Sequence, residues 1–245
     1  MILKRNAKMA AAITVCAAIF AILAVLYPGI FKKRGAAAAW REEFTAAPAM
    51  VTSPLPDEWK VQKKPGTRSA VFSLKTDPAK GDSFLHMEAD NASASIIRSI
   101  DNVDISKTPV LRWRWRAVEL PVDADGRVKT KDDQAIGIYA GAGSKLNNKS
   151  ISYRWDTITP KGSEGNCAYG MGTIKVKWYT LRNKEDLEPG KWYAEERNVA
   201  EDFKNAWGVY PDKIYLSVSC NSQYTKSRAE ADLDHIEFTG PEQVK

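Results

Sequence analysis

Paired acids are the first residues in the sequence that could do chemistry. Two aspartates stand at 132–133 and two glutamates at 195–196, and a glycosidase needs two carboxylic acids across a cleft. Neighbouring residues of a strand point to opposite faces, so neither dipeptide supplies such a pair by itself. Lys131 and Arg197 stand beside these acids, and nearby cations lower a carboxyl pKa, whereas a general acid needs a raised one. We therefore expect no catalytic residue.

Other catalytic motifs are missing. The chain has only two histidines, His86 and His235, which excludes an HExxH zinc site and any site with three histidine ligands. The glycine-rich stretch at 141–145 lacks the spacing of a phosphate-binding loop and predicts a hairpin loop. No serine stands in a G-x-S-x-G elbow. The sequence thus indicates neither a cofactor nor a catalytic class.

An arginine stripe is the clearest candidate for ligand binding. Alternation over residues 111–116 places a leucine and two tryptophans on one face of a strand, and Arg112, Arg114 and Arg116 on the other. Guanidinium groups on an open sheet can bind carboxylates or sugar hydroxyls. The favoured alternative is that these arginines pair across strands with acids such as those at 132–133 and 195–196.

Aromatic residues provide further candidates, because sugar-binding sandwiches use exposed aromatic rings as platforms for pyranose rings. Tyr153 is expected among the better exposed tyrosines, and one of the tryptophans at 155, 178 and 192 is expected to reach solvent. Most aromatic residues in strands belong to the core instead. The candidate ligand-binding aromatics are Tyr153, Trp155 and Trp192.

Two weaker predictions concern calcium and a disulfide. The acid-rich segment 230–238 contains Asp232 and Asp234, which are candidate ligands of a structural Ca²⁺. The alternative is a solvated face opposite lysines. Cys167 and Cys220 form an even pair that could bridge in an oxidising compartment, and two buried free thiols are the alternative.

The amino-terminal segment accounts for the net charge of +6. Residues 1–39 contain six basic residues and no acid, so residues 40–245 are formally neutral and nucleic-acid binding is not expected. Residues 9–31 carry no charge and are numerous enough to span a bilayer. We predict a cytoplasmic tail, an uncleaved single-pass anchor and a linker within 1–39; a cleaved signal peptide is the alternative.

The elements that must position these residues are mainly strands, since alternation with a period of two dominates from Ser69 onward. The predicted strands are 69–74, 84–89, 93–100, 110–118, 134–140, 150–155, 172–181, 191–199, 213–220 and 230–238. One helix is predicted over 200–207, ended by Gly208. Short strands separated by turn signals predict one all-β domain, an antiparallel sandwich or barrel, over residues 40–245.

Several short segments occur together in a characteristic order. They are Ser93-Ala94-Ser95, residues 108–115, Asp132-Asp133, residues 153–155, 190–192 and 196–199, Asp202-Phe203, and Trp207-Gly208 before Pro211. In this order they resemble the bacterial exported domain-of-unknown-function family numbered 3047, over roughly residues 40–239. The resemblance implies an envelope protein with a jelly-roll or galactose-binding-like sandwich. It implies no substrate and no catalytic residues.

These observations predict an inner-membrane protein whose exported, non-catalytic β-sandwich faces the periplasm or the cell exterior and binds a glycan or a protein partner. The alternative is a structural or accessory subunit of a bacterial membrane protein complex, and a polysaccharide hydrolase ranks third. An aromatic-lined groove would favour glycan binding, whereas a flat apolar patch would favour a subunit. The expected partners are the lipid bilayer, through residues 9–31, and an envelope glycan or membrane-complex proteins.

Overall fold

Fourteen strands in two seven-stranded sheets and one α-helix form the described part of the chain. The computed structural model describes residues 38–46, 52–77, 81–101, 103–144 and 146–241. They belong to one compact unit, Ala37–Lys245. The predicted anchor at 9–31 lies outside them. Within the described ranges, no helix combines the length and apolar character that crossing a bilayer requires.

The elements follow one another along the chain in a fixed order. They are β1 Ala38–Glu42, β2 Thr52–Ser53, β3 Lys60–Lys63, β4 Val71–Thr76, β5 Ser83–Asp90, β6 Ser93–Ile100, β7 Val110–Glu119, β8 Gln134–Ser144, β9 Asn147–Trp155, β10 Glu164–Tyr169, β11 Ile174–Arg182, β12 Tyr193–Asn198, α1 Val199–Trp207, β13 Ile214–Asn221 and β14 Arg228–Thr239. The first sheet has the order β12-β7-β14-β5-β4-β2, with β1 paired to β14, and the second has the order β10-β11-β9-β8-β13-β6-β3.

The prediction of an all-β sandwich with one helix is confirmed. All ten predicted strands are present, with ends within four residues of those predicted, and α1 begins one residue early. The sequence does not predict β1, β2, β3 and β10. The first three are short and lie in or beside a proline-containing region, and every residue of β3 is exposed, so no buried alternation marks it.

One strand pair departs from the predicted antiparallel sandwich. Strand β11 pairs with β9 in parallel, with Trp178 opposite Ser152 and Thr180 opposite Arg154. The chain leaves β9 at Trp155, forms β10, and turns back through residues 170–173 before it enters β11. The unpredicted β10 therefore forms the antiparallel hairpin with β11, which leaves β11 parallel to β9.

Aromatic rings from both sheets form the centre of the core. Trp113 of β7 stacks on Tyr153 of β9 at a centroid distance of 5.3 Å, and Trp115 lies 5.7 Å from Trp155. All four side chains are at most 1% exposed. Tyr153 and Trp155 were candidate ligand-binding residues, and this assignment is wrong because alternation turns them toward the opposite sheet.

The helix is fixed at both ends and against the core. Asn198 caps its first turn by accepting a hydrogen bond from the Glu201 backbone amide at 3.1 Å, and Gly208 ends it with φ of 74°. Asp202 accepts a hydrogen bond from the buried Tyr153 hydroxyl at 2.7 Å. The Tyr153 hydroxyl therefore supports the helix and is not available to a ligand.

Candidate functional site

The outer face of the second sheet carries a continuous set of uncharged polar side chains. Alternation in β8, β9 and β13 turns apolar residues inward and leaves serines, tyrosines and glycines on the opposite face. We call it the polar face: Gln134, Gly137, Tyr139, Gly141, Ser150, Ser152, Tyr215, Ser217 and Ser219. The strand register places Tyr139 between Ser152 and Ser217, and Gly141 between Ser150 and Tyr215.

Glycines on β8 make room for the tyrosine rings. A Cβ atom at Gly141 would lie 2.2 Å from the Tyr215 ring, and one at Gly137 would lie 2.9 Å from the Tyr139 ring. Both tyrosines are half-buried. The rings therefore lie low against the sheet with part of their surface open to solvent, while the serine hydroxyls form the floor around them.

Hydrogen bonds hold the polar face in place. The Tyr215 hydroxyl donates to Asn148 Oδ1 at 2.7 Å and lies 3.1 Å from Ser150 Oγ. Gln134 Nε2 donates to the Tyr139 hydroxyl at 3.0 Å. The Ser152 hydroxyl is buried and has no hydrogen-bond partner among the described residues. A buried polar atom in this condition is costly unless something else satisfies it.

A buried charged cluster borders the polar face. Arg154 of β9 donates through Nη2 to Asp132 Oδ1 at 2.6 Å and to Gln134 Oε1 at 3.0 Å, and its Nε lies 3.1 Å from Asp156 Oδ1. Tyr169 of β10 donates to the second oxygen of Asp132 at 2.7 Å. Arg154 and both aspartates are buried, so the cluster joins the loop before β8 to β9 and β10.

Burial and charge act against each other within this cluster. Burial raises the pKa of Asp156 above its ordinary value. The nearby Arg154 guanidinium opposes this rise but does not cancel it. Burial alone would lower the pKa of Arg154, but attraction by Asp156 and Asp132 outweighs it and raises that pKa. Burial also raises the pKa of Asp133, which accepts two hydrogen bonds from Thr225. The expectation of a lowered pKa at Asp133 from its sequence neighbours is therefore wrong.

The arginine stripe lies elsewhere, on the outer face of the first sheet, and its members are ion-paired. Arg112 pairs with Glu196 at 2.6 Å, Arg114 with Asp234 at 2.8 Å and Arg116 with Asp232 at 2.6 Å. Cross-strand pairing is therefore present, as the favoured alternative predicted. Among the acids predicted to pair with the stripe, at 132–133 and 195–196, Glu196 alone does so. The other partners come from β14, because β14 and not the loop before β8 lies beside β7.

Trp192 is half-buried beside this stripe. The Arg116 and Arg114 guanidinium carbons lie 4.6 and 5.2 Å from the centroid of its ring, and Phe84 meets it edge-on at 5.6 Å. The tertiary structure thus brings Trp192 together with Arg114 and Arg116. It separates all three from Tyr153 and Trp155, which lie in the core.

The two aspartates suggested for calcium contact nitrogen atoms of basic side chains. Asp232 contacts His86 Nδ1 and Arg116 Nε, both at 2.6 Å, and Asp234 contacts Arg114 and His235. Their oxygens face nitrogen atoms, whereas Ca²⁺ needs six to eight oxygen ligands. The structure therefore contradicts these two residues as calcium ligands.

The predicted disulfide is also absent, since Cys167 and Cys220 are free thiols. Cys167 lies in β10 and Cys220 in β13, four strand positions apart in the second sheet. At about 4.8 Å per strand the separation is about 19 Å, whereas a disulfide needs Cα atoms within about 7 Å. Both thiols are free, as the alternative predicted, but only Cys220 is buried, whereas Cys167 is half-buried.

Sequence reasoning missed the polar face, although its signal is present. Serines alternate with larger residues at 150 and 152 and again at 217 and 219, in two strands that were both predicted. What the sequence does not show is that β8 lies between β9 and β13, which places both serine pairs on one surface.

Solved structures with partial similarity include carbohydrate-active proteins. A family 11 carbohydrate-binding module from Clostridium thermocellum, in complex with a β-1,3-1,4-mixed-linked tetrasaccharide, is 13% identical over 77% of this chain and 95% of that one, with a TM-score of 0.39. The xyloglucanase domain of NopAA from Sinorhizobium fredii, in complex with cellobiose, is 11% identical over 75% and 98%, with a TM-score of 0.39. TM-scores below 0.5 carry no argument about this chain.

No curated protein matches the sequence. A family model does match, over residues 57–237, which is well over half of the chain. The match confirms the family that the order of short sequence segments predicted. Its bounds include the whole polar face and the arginine stripe. The chain therefore belongs to the family described as Protein of unknown function (DUF3047).

Proposed function

We propose that this chain is a membrane-tethered envelope protein whose β-sandwich binds a glycan on the polar face, without catalysis. One observation carries the proposal: two partly exposed tyrosine rings, Tyr139 and Tyr215, lie on one sheet face of adjacent strands, above buried serine hydroxyls. Sugars are bound by hydroxyl and amide groups that fix orientation and by aromatic rings that cover the pyranose faces. Alternation places one charged residue, Arg154, on the same side of β9 opposite Gly137, but it is buried and paired with Asp132 and Asp156. The exposed part of the face is therefore uncharged, which suits a neutral glycan.

The test is binding of the full-length protein, in mild detergent, to peptidoglycan and to a panel of neutral polysaccharides. Tyr215→Ala should weaken binding about 2- to 13-fold, since an aromatic contact contributes about 0.5–1.5 kcal/mol. Tyr210→Ala is the matched control, because Tyr210 is 56% exposed and lies outside the polar face. Loss of binding in Tyr215→Ala alone supports the proposal. Equal binding by both variants, or no binding by the parent to any probe, overturns it.

The non-catalytic part of the proposal rests on the state of the acids nearest the polar face. Asp132 and Asp156 are buried and share the Arg154 guanidinium, so both carboxylates are held by ion pairs. The same polysaccharides should release no reducing ends on incubation with the parent. Release that disappears in Asp132→Asn would instead identify a hydrolase.

The membrane location rests on the uncharged run at residues 9–31. With this anchor, residues 40–245 would lie outside the cytoplasmic membrane. Protease treatment of intact spheroplasts should digest the β-sandwich epitope, whereas a cytoplasmic control protein stays intact. Protection of the sandwich until the membrane is lysed would reverse the proposed orientation.

One observation favours the accessory-subunit alternative. Three large apolar residues are exposed close together: Leu146, Met171 and Ile174. Their segments are neighbours because the backbone N–H of Asn148 donates to the Thr173 carbonyl at 2.8 Å. Exposed apolar patches of this kind mark contacts between proteins. Purification of the native protein in mild detergent should then yield a stoichiometric partner that Leu146→Ser with Met171→Ser releases.

A further inference from the structure

Four ionisable side chains form a square on the outer face of the first sheet. Strands β5 and β14 pair antiparallel with His86 opposite Asp232 and Glu88 opposite Glu230. Because side chains alternate along a strand, all four point to the same face. The ligand atoms of His86, Glu88 and Glu230 lie within 4.8 Å of one another.

Three of these groups converge on one point. His86 Nε2 lies 2.7 Å from Glu88 Oε1 and 3.5 Å from Glu230 Oε1. The His86 side chain is 4% exposed, whereas those of Glu88 and Glu230 are 46% and 25% exposed. The imidazole therefore forms the base of the cluster, and the two carboxylates form its solvent side.

The fourth member of the square, Asp232, fixes the orientation of the imidazole. Its Oδ1 lies 2.6 Å from His86 Nδ1, and its Oδ2 accepts a hydrogen bond from Arg116 at 2.6 Å. A metal ion at Nε2 would require the tautomer with the proton on Nδ1, and it would replace the present 2.7 Å contact between Nε2 and Glu88. A carboxylate behind a histidine in this way holds the ring and increases its basicity toward a metal.

We propose that His86 Nε2, Glu88 and Glu230 bind a divalent transition metal ion, with Asp232 as the residue that orients His86. One imidazole nitrogen and two carboxylates form a ligand set suited to Zn²⁺, with a fourth position left for water on the solvent side. Calcium does not suit this set, which offers a nitrogen ligand and few oxygens. Sequence analysis assigned no ligand role to His86, and its calcium candidates include neither Glu88 nor Glu230.

Neighbouring cations do not block the proposed site. Arg116 faces the oxygen of Asp232 that is turned away from the imidazole. Lys75 of β4 lies 3.5 Å from Glu88 Oε1, but its side chain is 35% exposed and its flexible stem can move into solvent. The carboxylates of Glu88, Glu230 and Asp232 outnumber these two cations by one. One net negative charge therefore remains to attract a metal ion at His86.

Zinc chloride is the probe, added to full-length protein without a histidine tag, in mild detergent, after treatment with a chelator. Titration calorimetry should show one Zn²⁺ per chain, and the metal should raise the melting temperature. Glu88→Gln should weaken binding by at least about 10–100-fold, the effect seen when even a residue behind a metal ligand is removed. Glu230→Gln should do the same.

Two matched variants make the result specific. Glu119→Gln alters an equally exposed glutamate on β7 that pairs with Arg228, and His235→Asn alters the other histidine. Both should bind Zn²⁺ like the parent. Glu88 is nearly half exposed, so Glu88→Gln is expected to fold, which a melting curve without metal checks. No binding by the parent, or unchanged binding by both Glu88→Gln and Glu230→Gln, overturns the proposal.

Discussion

Arg154 and Asp132 form an ion pair with an Nη2–Oδ1 distance of 2.6 Å in which both side chains are almost fully buried. Asp156 lies on the other side of the same guanidinium. A buried charge that loses its partner is costly, because the remaining charge stays out of water. The stability of the loop before β8 therefore depends on this arginine.

We expect Arg154→Met to lower the free energy of unfolding by at least about 3–5 kcal/mol, because it leaves two buried aspartates without their cation. Arg228→Met is the control, since Arg228 forms an exposed pair with Glu119 at 3.6 Å and should cost about 0–1 kcal/mol. Urea unfolding of both variants measures the difference. Equal costs would show that the buried cluster does not stabilise the fold.

The arginine stripe should contribute to stability in proportion to its burial. Arg114 and Asp234 are partly exposed, so Arg114→Ala should cost about 0–1 kcal/mol. Arg116→Ala should cost more, because its partner Asp232 is only 2% exposed. Thermal unfolding measures both. Unchanged melting of Arg114→Ala together with lost binding to a glycan or partner would assign the stripe to ligand recognition.

The thiol of Cys220 should be inert in the folded protein. Burial raises its pKa, and the side chain is 0% exposed, so neither thiolate nor access is available. A maleimide should label Cys220 only after denaturation, and a Cys16→Ser background removes the thiol outside the described residues. Mass spectrometry of peptides locates the label. Rapid native labelling of Cys220, or a disulfide to Cys167, would contradict the free, buried state.

Acid should destabilise the 121–133 loop through Asp125. The Arg127 side chain, which donates to both carboxylate oxygens, lowers the pKa of Asp125 to about 2, although burial opposes this shift. A lowered folded-state pKa stabilises the fold above the unfolded pKa near 4, and this stabilisation is lost as the pH falls toward 2.

Asp125→Asn should therefore show a smaller decrease of melting temperature between pH 4 and pH 2 than the parent. Since the Arg127 side chain is about half exposed, added salt should reduce the difference between the two proteins. Parallel melting curves at every pH would show that this ion pair contributes nothing.

Local pattern determined much of the fold. Alternation over residues 111–116 identified β7 and the inward side of its tryptophans, and the acidic first turn with Gly208 identified α1. Both signals act within a few residues, because side-chain direction in a strand and capping of a helix are local properties. The order of short segments likewise identified the family.

The tertiary structure alone decided which strands are neighbours. The strand order in turn decided which side chains meet in the ion pairs and in the proposed metal site. Arg116 meets Asp232 because β14 lies beside β7, and His86 meets Glu230 because β14 also lies beside β5. Tyr153 was misplaced because both faces of β9 are buried, one by the core and the other by polar contacts, so alternation could not tell which face a ligand would reach. Strand pairing joins residues far apart in the chain, and no local pattern records that choice.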